Sequence, residues 1–147
     1  MILINEIIAI AQAVAPTATV ILSSNFNANY QSFQTPETAF PLIVIDNEYP
    51  KNSEIMKNNN VLKDTRILIR VLGLDITDNT DTQSATIADN MESIADLIAV
   101  RIYQLIPVRP NGNQRYKLIP QYRVYNTLLT GVNCEMYVNY NEVVNFE

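Results

Sequence analysis

Between Thr82 and Leu105 the apolar residues Ile87, Met91, Ile94, Ile98, Ile102 and Leu105 recur every three or four positions, which places them on one face of a long helix. Asp89, Glu92 and Asp96 fall on its other side. Pro107 ends it, and Asp81, Thr82 and Ser84 are its candidate caps. Ahead of it, Thr65 to Gly73 reads as a strand with Ile67, Ile69 and Val71 on one face and Arg66, Leu68, Arg70 and Leu72 on the other. Leu74 to Asp81 is the acidic turn that joins strand to helix. A second helical pattern opens the chain: Leu3, Ile7, Ile10 and Val14 share a face, and Pro16 stops it.

The remaining apolar runs are strand-like. Thr19 to Leu22 is short, and Phe40 to Ile45 is fuller, with Pro41 tolerated at its first position. Arg115 to Tyr125 carries Pro120 in its middle, the mark of an edge strand or a bulge. From Val132 to Tyr140, Val132, Cys134, Met136, Val138 and Tyr140 alternate with Asn133, Glu135, Tyr137 and Asn139, the period of a half-buried strand. Asn111-Gly112 signals a tight turn, and Asn126 to Gly131 turns the chain again. Long loops are expected at 23–40, where Phe26, Tyr30 and Phe33 lie among polar residues, and at 46–63, which is rich in Asn and Lys. The second loop reads either as a solvated hairpin tip or as an arm that reaches a neighbouring subunit.

Two helices placed this way cover one sheet, so the expected architecture is an α+β two-layer sandwich. It has a mostly antiparallel sheet of four to five strands, an N-terminal helix and one long central helix. Residues 1–140 make a single domain and 141–147 a C-terminal tail, whose Val143, Val144 and Phe146 either fold back or add to a partner's sheet. The long helix supplies the largest share of buried area, so a charge at Ile94 or Ile98 is expected to be among the most damaging single changes.

Composition narrows the chemistry. The 147 residues include one cysteine, Cys134, and no histidine. An intramolecular disulfide is excluded, thiolate or imidazole metal sites are disfavoured, and the commonest general base is missing. No cofactor, metal or catalytic residue is therefore expected, and no enzyme. Cys134 reads as a small buried hydrophobe. The net charge of -5 disfavours gripping nucleic acid phosphates. Ala13-Val14-Ala15 has the form of a cleavage site, but the segment before it lacks a basic residue and carries Glu6, so no signal peptide is expected. No run approaches the length of a membrane span.

The order of elements resembles the tail-terminator or tail-completion proteins of long-tailed bacteriophages. The pattern comprises the N-terminal helix, Phe40-Pro41-Leu-Ile-Val-Ile45, a variable excursion and the strand Arg66 to Leu72. After these come the acidic turn, a long helix ending Arg101-Ile102-Tyr103 and the alternating strand Val132 to Tyr140. The resemblance implies a virion structural protein, assembled in the host cytoplasm, that forms a homo-oligomeric ring, commonly a hexamer. Such a ring joins the tail to the head connector and contacts other neck, tail-tube or portal-connector proteins. DNA passes through its lumen without specific binding. Acidic residues then acquire a role in repelling phosphates, and the candidates are Asp75, Asp78 and Asp81, or Asp89, Glu92 and Asp96. The candidate subunit interface comprises Arg66, Arg70, Tyr49, Lys51, Lys57, Val143, Val144 and Phe146. Arg66 and Arg70 read alternatively as surface charge that keeps the sheet soluble. Two alternatives stay open: a head-completion or portal-connector ring of twelvefold symmetry, and a small cytoplasmic α+β regulatory domain that binds a ligand. The second would usually show a Gly-rich or basic ligand loop, and the chain has only three glycines.

Overall fold

The computed structural model describes residues 3–22, 40–46, 51–106, 115–124 and 128–144. Over these the chain runs α1 (Leu3–Val14), β1 (Thr19–Leu22), β2 (Leu42–Asp46), β3 (Lys51–Ile55), β4 (Asn60–Leu74), α2 (Asp81–Leu105), β5 (Tyr116–Val124) and β6 (Leu129–Val143). The fold is α+β. One six-stranded sheet has the order β1-β2-β4-β6-β5, with β3 also paired to β4. Only β1 and β2 run parallel.

The sixth strand comes from the stretch expected to be a loop at 46–63. β3 pairs with the first part of β4, from Lys51 opposite Thr65 to Ile55 opposite Val61. Asn58 and Asn59 close this hairpin at φ 62° and 60°, a left-handed conformation that asparagine tolerates better than most residues. Local polarity hid the strand because every residue of β3 is exposed, so no apolar alternation marks it. β2 and β3 lie along the same side of β4, β2 opposite Leu68 to Leu72 and β3 beyond it. On the other side β6 pairs with the whole of β4, from Asn60 opposite Val143 to Leu74 opposite Leu129. Residues 141–143 are therefore strand and not tail, and the Val144 amide bonds the Asn59 carbonyl at 2.8 Å. The turn expected over Asn126 to Gly131 is likewise shorter, since β6 already begins at Leu129.

Both helices pack on one face of this sheet. The core joins Leu3, Ile7 and Ile10 of α1 to Ile98 and Ile102 of α2 over Ile43, Ile69, Cys134 and Met136. The buried positions of α2 are Ser84, Ala88, Ala95, Ile98, Ala99 and Ile102. Small side chains let the helix backbone lie close to the strands, and Gly73 marks where it crosses: a Cβ there would stand 2.9 Å from Ile87 Cγ2. The buried stripe thus differs from the isoleucine stripe expected from periodicity. Ile87, Met91 and Ile94 are only half-buried, and Leu105 is 62% exposed. The helix is capped by Thr80, one residue before the expected start. Its hydroxyl accepts from the Gln83 amide while the Gln83 side chain accepts from the Thr80 amide, a reciprocal capping box. Of the two isoleucines expected to matter most, Ile98 is 1% exposed. Ile98→Val is expected to lower stability by about 0.5–1.5 kcal/mol and Ile94→Val by less, read as a shift of urea midpoint at unchanged slope.

The opposite face is divided. Leu42, Val44, Leu72 and Leu129 form a second apolar cluster with Ile21, Phe40 and Val124. The rest of that face is mixed: it holds the buried Leu62 and Leu68 together with an ion pair between Arg66 and Glu135 at 2.7 Å. Pro120 lies on β5, the outer strand beside β6, and the register slips between Gln121 and Val124, so the proline is accommodated by an edge and a bulge together.

Candidate assembly surfaces

The acidic turn after β4 builds a dense polar cluster among the described residues. The Asp75 side chain is wholly buried. Its Oδ1 accepts from the Ile76 amide at 2.8 Å and from Asn79 Nδ2 at 2.6 Å. Its Oδ2 accepts from Thr130 Oγ1 at 2.6 Å and Ser84 Oγ at 2.7 Å. Arg123 Nε stands 3.7 Å from the same oxygen and donates to Ser84 Oγ at 3.2 Å. The Arg123 amide bonds Thr130 Oγ1 at 2.9 Å, and Arg123 Nη2 bonds the Asn79 carbonyl. Burial alone raises the carboxyl pKa, but the hydrogen bonds from Thr130, Ser84, Asn79 and the Ile76 amide outweigh it and hold Asp75 well below the usual carboxylate range. One side chain thereby ties the end of β4, the start of α2, β5 and β6 together.

This placement corrects one expected surface residue. Asp75 presents nothing to a lumen, because desolvation without its four donors would cost far more than a surface carboxylate returns. Asp78, Asp81, Asp89 and Glu92 are exposed. Asp96 is half-buried and accepts from Tyr116 Oη at 2.7 Å. That bond, with burial behind it, pushes the tyrosine pKa up to about 12. Cys134 is buried, and desolvation pushes its thiol up to about 12, which leaves it an inert core residue.

Of the expected interface residues, Tyr49 and Phe146 lie outside the described residues. So do most of the 23–40 loop and the Asn111-Gly112 turn. Arg66 is engaged within the chain by Glu135, and Arg70 is half-buried on the same face. Lys51, Lys57, Val143 and Val144 are exposed; Lys51 lies at the start of β3, opposite Thr65, whereas Lys57, Val143 and Val144 lie at the end of the sheet closed by the β3–β4 turn. At that end β3 is open to solvent at every residue, Ile55 is 88% exposed, and Met56 lies beside it in the turn. The strands there are fixed by the ladder and by Lys63–Glu142 at 2.7 Å. Their hydrogen bond raises the lysine pKa and lowers that of the glutamate. Ile55 and Met56 thus stand exposed on the β3–β4 hairpin and Val143 and Val144 at the end of β6, with Ile55 and Val143 on opposite faces of the sheet.

A second apolar surface lies on the helical layer. Leu97, 55% exposed, and Leu105 face Ile10, Ala13 and Val14 of α1 across a cleft of about 320 Å³, with Arg101 as its one charged lining residue. Periodicity assigned Leu105 to the core and left Leu97 unassigned. The signal was present as leucines at positions 97 and 105 outside the Ala95-Ile98-Ile102 stripe, on a face where polar residues would ordinarily stand. Among the described residues no helix is long and apolar enough to cross a membrane. No protein-family model matches the chain, and no curated protein matches it either.

Proposed function

We propose that the chain is a structural protein of a bacteriophage particle, one subunit of a homo-oligomeric ring at the neck or tail top. The ring joins tail to head connector and lets DNA pass. The observation that carries this reading is the set of large apolar side chains left exposed on regular elements, Ile55 and Met56 on the β3–β4 hairpin, Val143 and Val144 at the end of β6, and Leu97 and Leu105 on α2. Scattered exposed apolar residues are ordinary, whereas the cleft of about 320 Å³ that Leu97 and Leu105 form with α1 is an apolar surface of the kind that marks a contact. The order of elements resembling tail-terminator proteins gives the contact its setting, and the net charge of -5 suits a wall that DNA slides past. Asp78, Asp81, Asp89 and Glu92 are the carboxylates available for such a wall. Its partners are further copies of the chain and other neck, tail-tube or connector proteins, and its place is the virion.

Negative-stain imaging of the purified chain tests this directly. Closed rings with an open centre are expected. A field of single small particles at high protein concentration, with no rings, contradicts the proposal.

A further inference from the structure

We infer that β3 pairs antiparallel with β3 of a second copy of the chain, joining the two sheets edge to edge about a twofold axis at Ser53. A twofold contact closes at two chains, so it goes beyond the ring reading and does not depend on it. Among the described residues the sheet has three open edges, β1, β3 and β5. Pro120 and the register slip guard β5, and such devices keep an edge from pairing. β1 is short and half-buried at every residue. β3 has neither proline nor slip, and all of it is exposed.

One backbone bond fixes which way β3 points its polar groups. The Met56 amide donates to the Asn60 carbonyl at 2.8 Å, in register with the β3–β4 ladder. Bonded residues alternate along an antiparallel strand. Asn52 and Glu54 therefore direct N–H and C=O at β4, and Lys51, Ser53 and Ile55 direct theirs at the open edge. These three residues form a self-complementary set, which is why the occupant is a second copy. With Ser53 opposite Ser53 of that copy, Lys51 meets Ile55 and Ile55 meets Lys51, each pair exchanging two hydrogen bonds. A shift of two residues in either direction leaves an end residue of each strand unpaired. The side chains agree with the same register. Opposed residues share a face, so Asn52 stands against Glu54 and Lys51 against Ile55, and no like charges are opposed. Ile55 is 88% exposed in the single chain and lies, like Lys51, on the face that carries the helices. In the pair it lies beside the aliphatic stem of Lys51 of the second copy, which covers it. That lysine, with Leu3, Ile4, Ile7 and Ile67, lines a pocket of about 160 Å³ on the same face.

The experiment uses the full chain, with circular dichroism as the check on folding. Ser53→Cys is expected to give disulfide-linked dimers on mild oxidation, because the two Cα atoms stand about 5.5 Å apart in such a pair, within disulfide reach. Lys51→Cys and Ile55→Cys, each alone, are expected to stay single, since each lies about 13 Å along the strand from its own copy. The chain carrying both is expected to link. Cys134 is buried and does not enter the result. A Ser53→Cys chain that stays single, or equal dimer yields from Lys51→Cys alone, overturns the contact. Light scattering gives a second reading. Ile55→Lys sets lysine against lysine twice in each pair and is expected to weaken pairing about tenfold, and adding Lys51→Glu is expected to restore it. Pairing unchanged by Ile55→Lys overturns the contact. A parent mass of two chains supports this contact and contradicts the ring reading. Rings that form while Ser53→Cys stays single leave the ring reading standing and overturn this contact. A parent chain that is single at every concentration overturns both.

Discussion

Gly131→Ala is expected to be the most damaging small substitution in the chain. Gly131 lies opposite Leu72 in the ladder between β4 and β6. A Cβ at this position would stand 2.0 Å from the Val71 carbonyl oxygen, 2.9 Å from its carbon and 3.0 Å from Leu72 Cα. All three are backbone atoms of the strand that is hydrogen-bonded to β2 on one side and β6 on the other, so none can move without opening the sheet. Gly131 also follows Thr130, whose hydroxyl serves Asp75, and a displaced strand would draw that bond apart. Overpacking of a core ordinarily costs about 1–3 kcal/mol. Here the cost should exceed that range and lower the melting temperature by roughly 10 °C or more at matched protein concentration. Gly73→Ala provides the contrast. Its added methyl meets the Ile87 side chain at 2.9 Å, and a side chain can turn away, so the loss is expected to be clearly smaller. Equal melting temperatures for the two variants would show that β6 is free to shift.

The second large effect is expected at Asp75. Removing the carboxylate in Asp75→Ala strands the Thr130 and Ser84 hydroxyls and the Asn79 amide, and leaves Arg123 without its counter-charge. Breaking such a buried, charge-assisted cluster costs about 3–5 kcal/mol. The pH dependence gives an independent reading of the same group. The folded carboxyl holds its proton less tightly than the unfolded one, whose pKa is about 3.9. Its contribution is therefore complete above about pH 4 and is lost as pH falls through that value toward the folded one. The parent chain should lose stability through this window, and Asp75→Asn should show a shallower loss there, measured as urea midpoints across the acid range. Parallel curves for the two proteins would mean that Asp75 is not the group that titrates.

The fold was largely readable from residue order because burial acts on periods. Ile67, Ile69 and Val71 against Leu68 and Leu72, and the alternation from Val132 to Tyr140, placed two central strands on their correct faces. Pro120 marked its edge and bulge. What escaped was structure whose stabilisation is not apolar. β3 is polar at four of its five residues, Lys51, Asn52, Ser53 and Glu54, and owes its order to the ladder with β4 and to Asn58 and Asn59 at the turn. The Asp75 cluster escaped for a related reason. It unites Asp75, Ser84, Arg123 and Thr130 from separated segments, and no local spacing announces that a turn aspartate will be buried. The helix α2 misled in a third way, because Ala88, Ala95 and Ala99 join Ile98 and Ile102 in the buried face and leave Ile87, Met91 and Ile94 at its margin. That rotation brings Leu97 and Leu105 out to the surface and makes the cleft.

Assembly of copies of this chain into a closed ring is the proposal on which the functional reading stands. Its most direct test is the mass of the purified protein in solution, measured over a range of concentrations. A hexamer of the 16.6 kDa chain has a mass of about 100 kDa, and a single species of that mass, unchanged on dilution across the assembled range, is the expected result. A mass that stays at that of one chain at every concentration would contradict it.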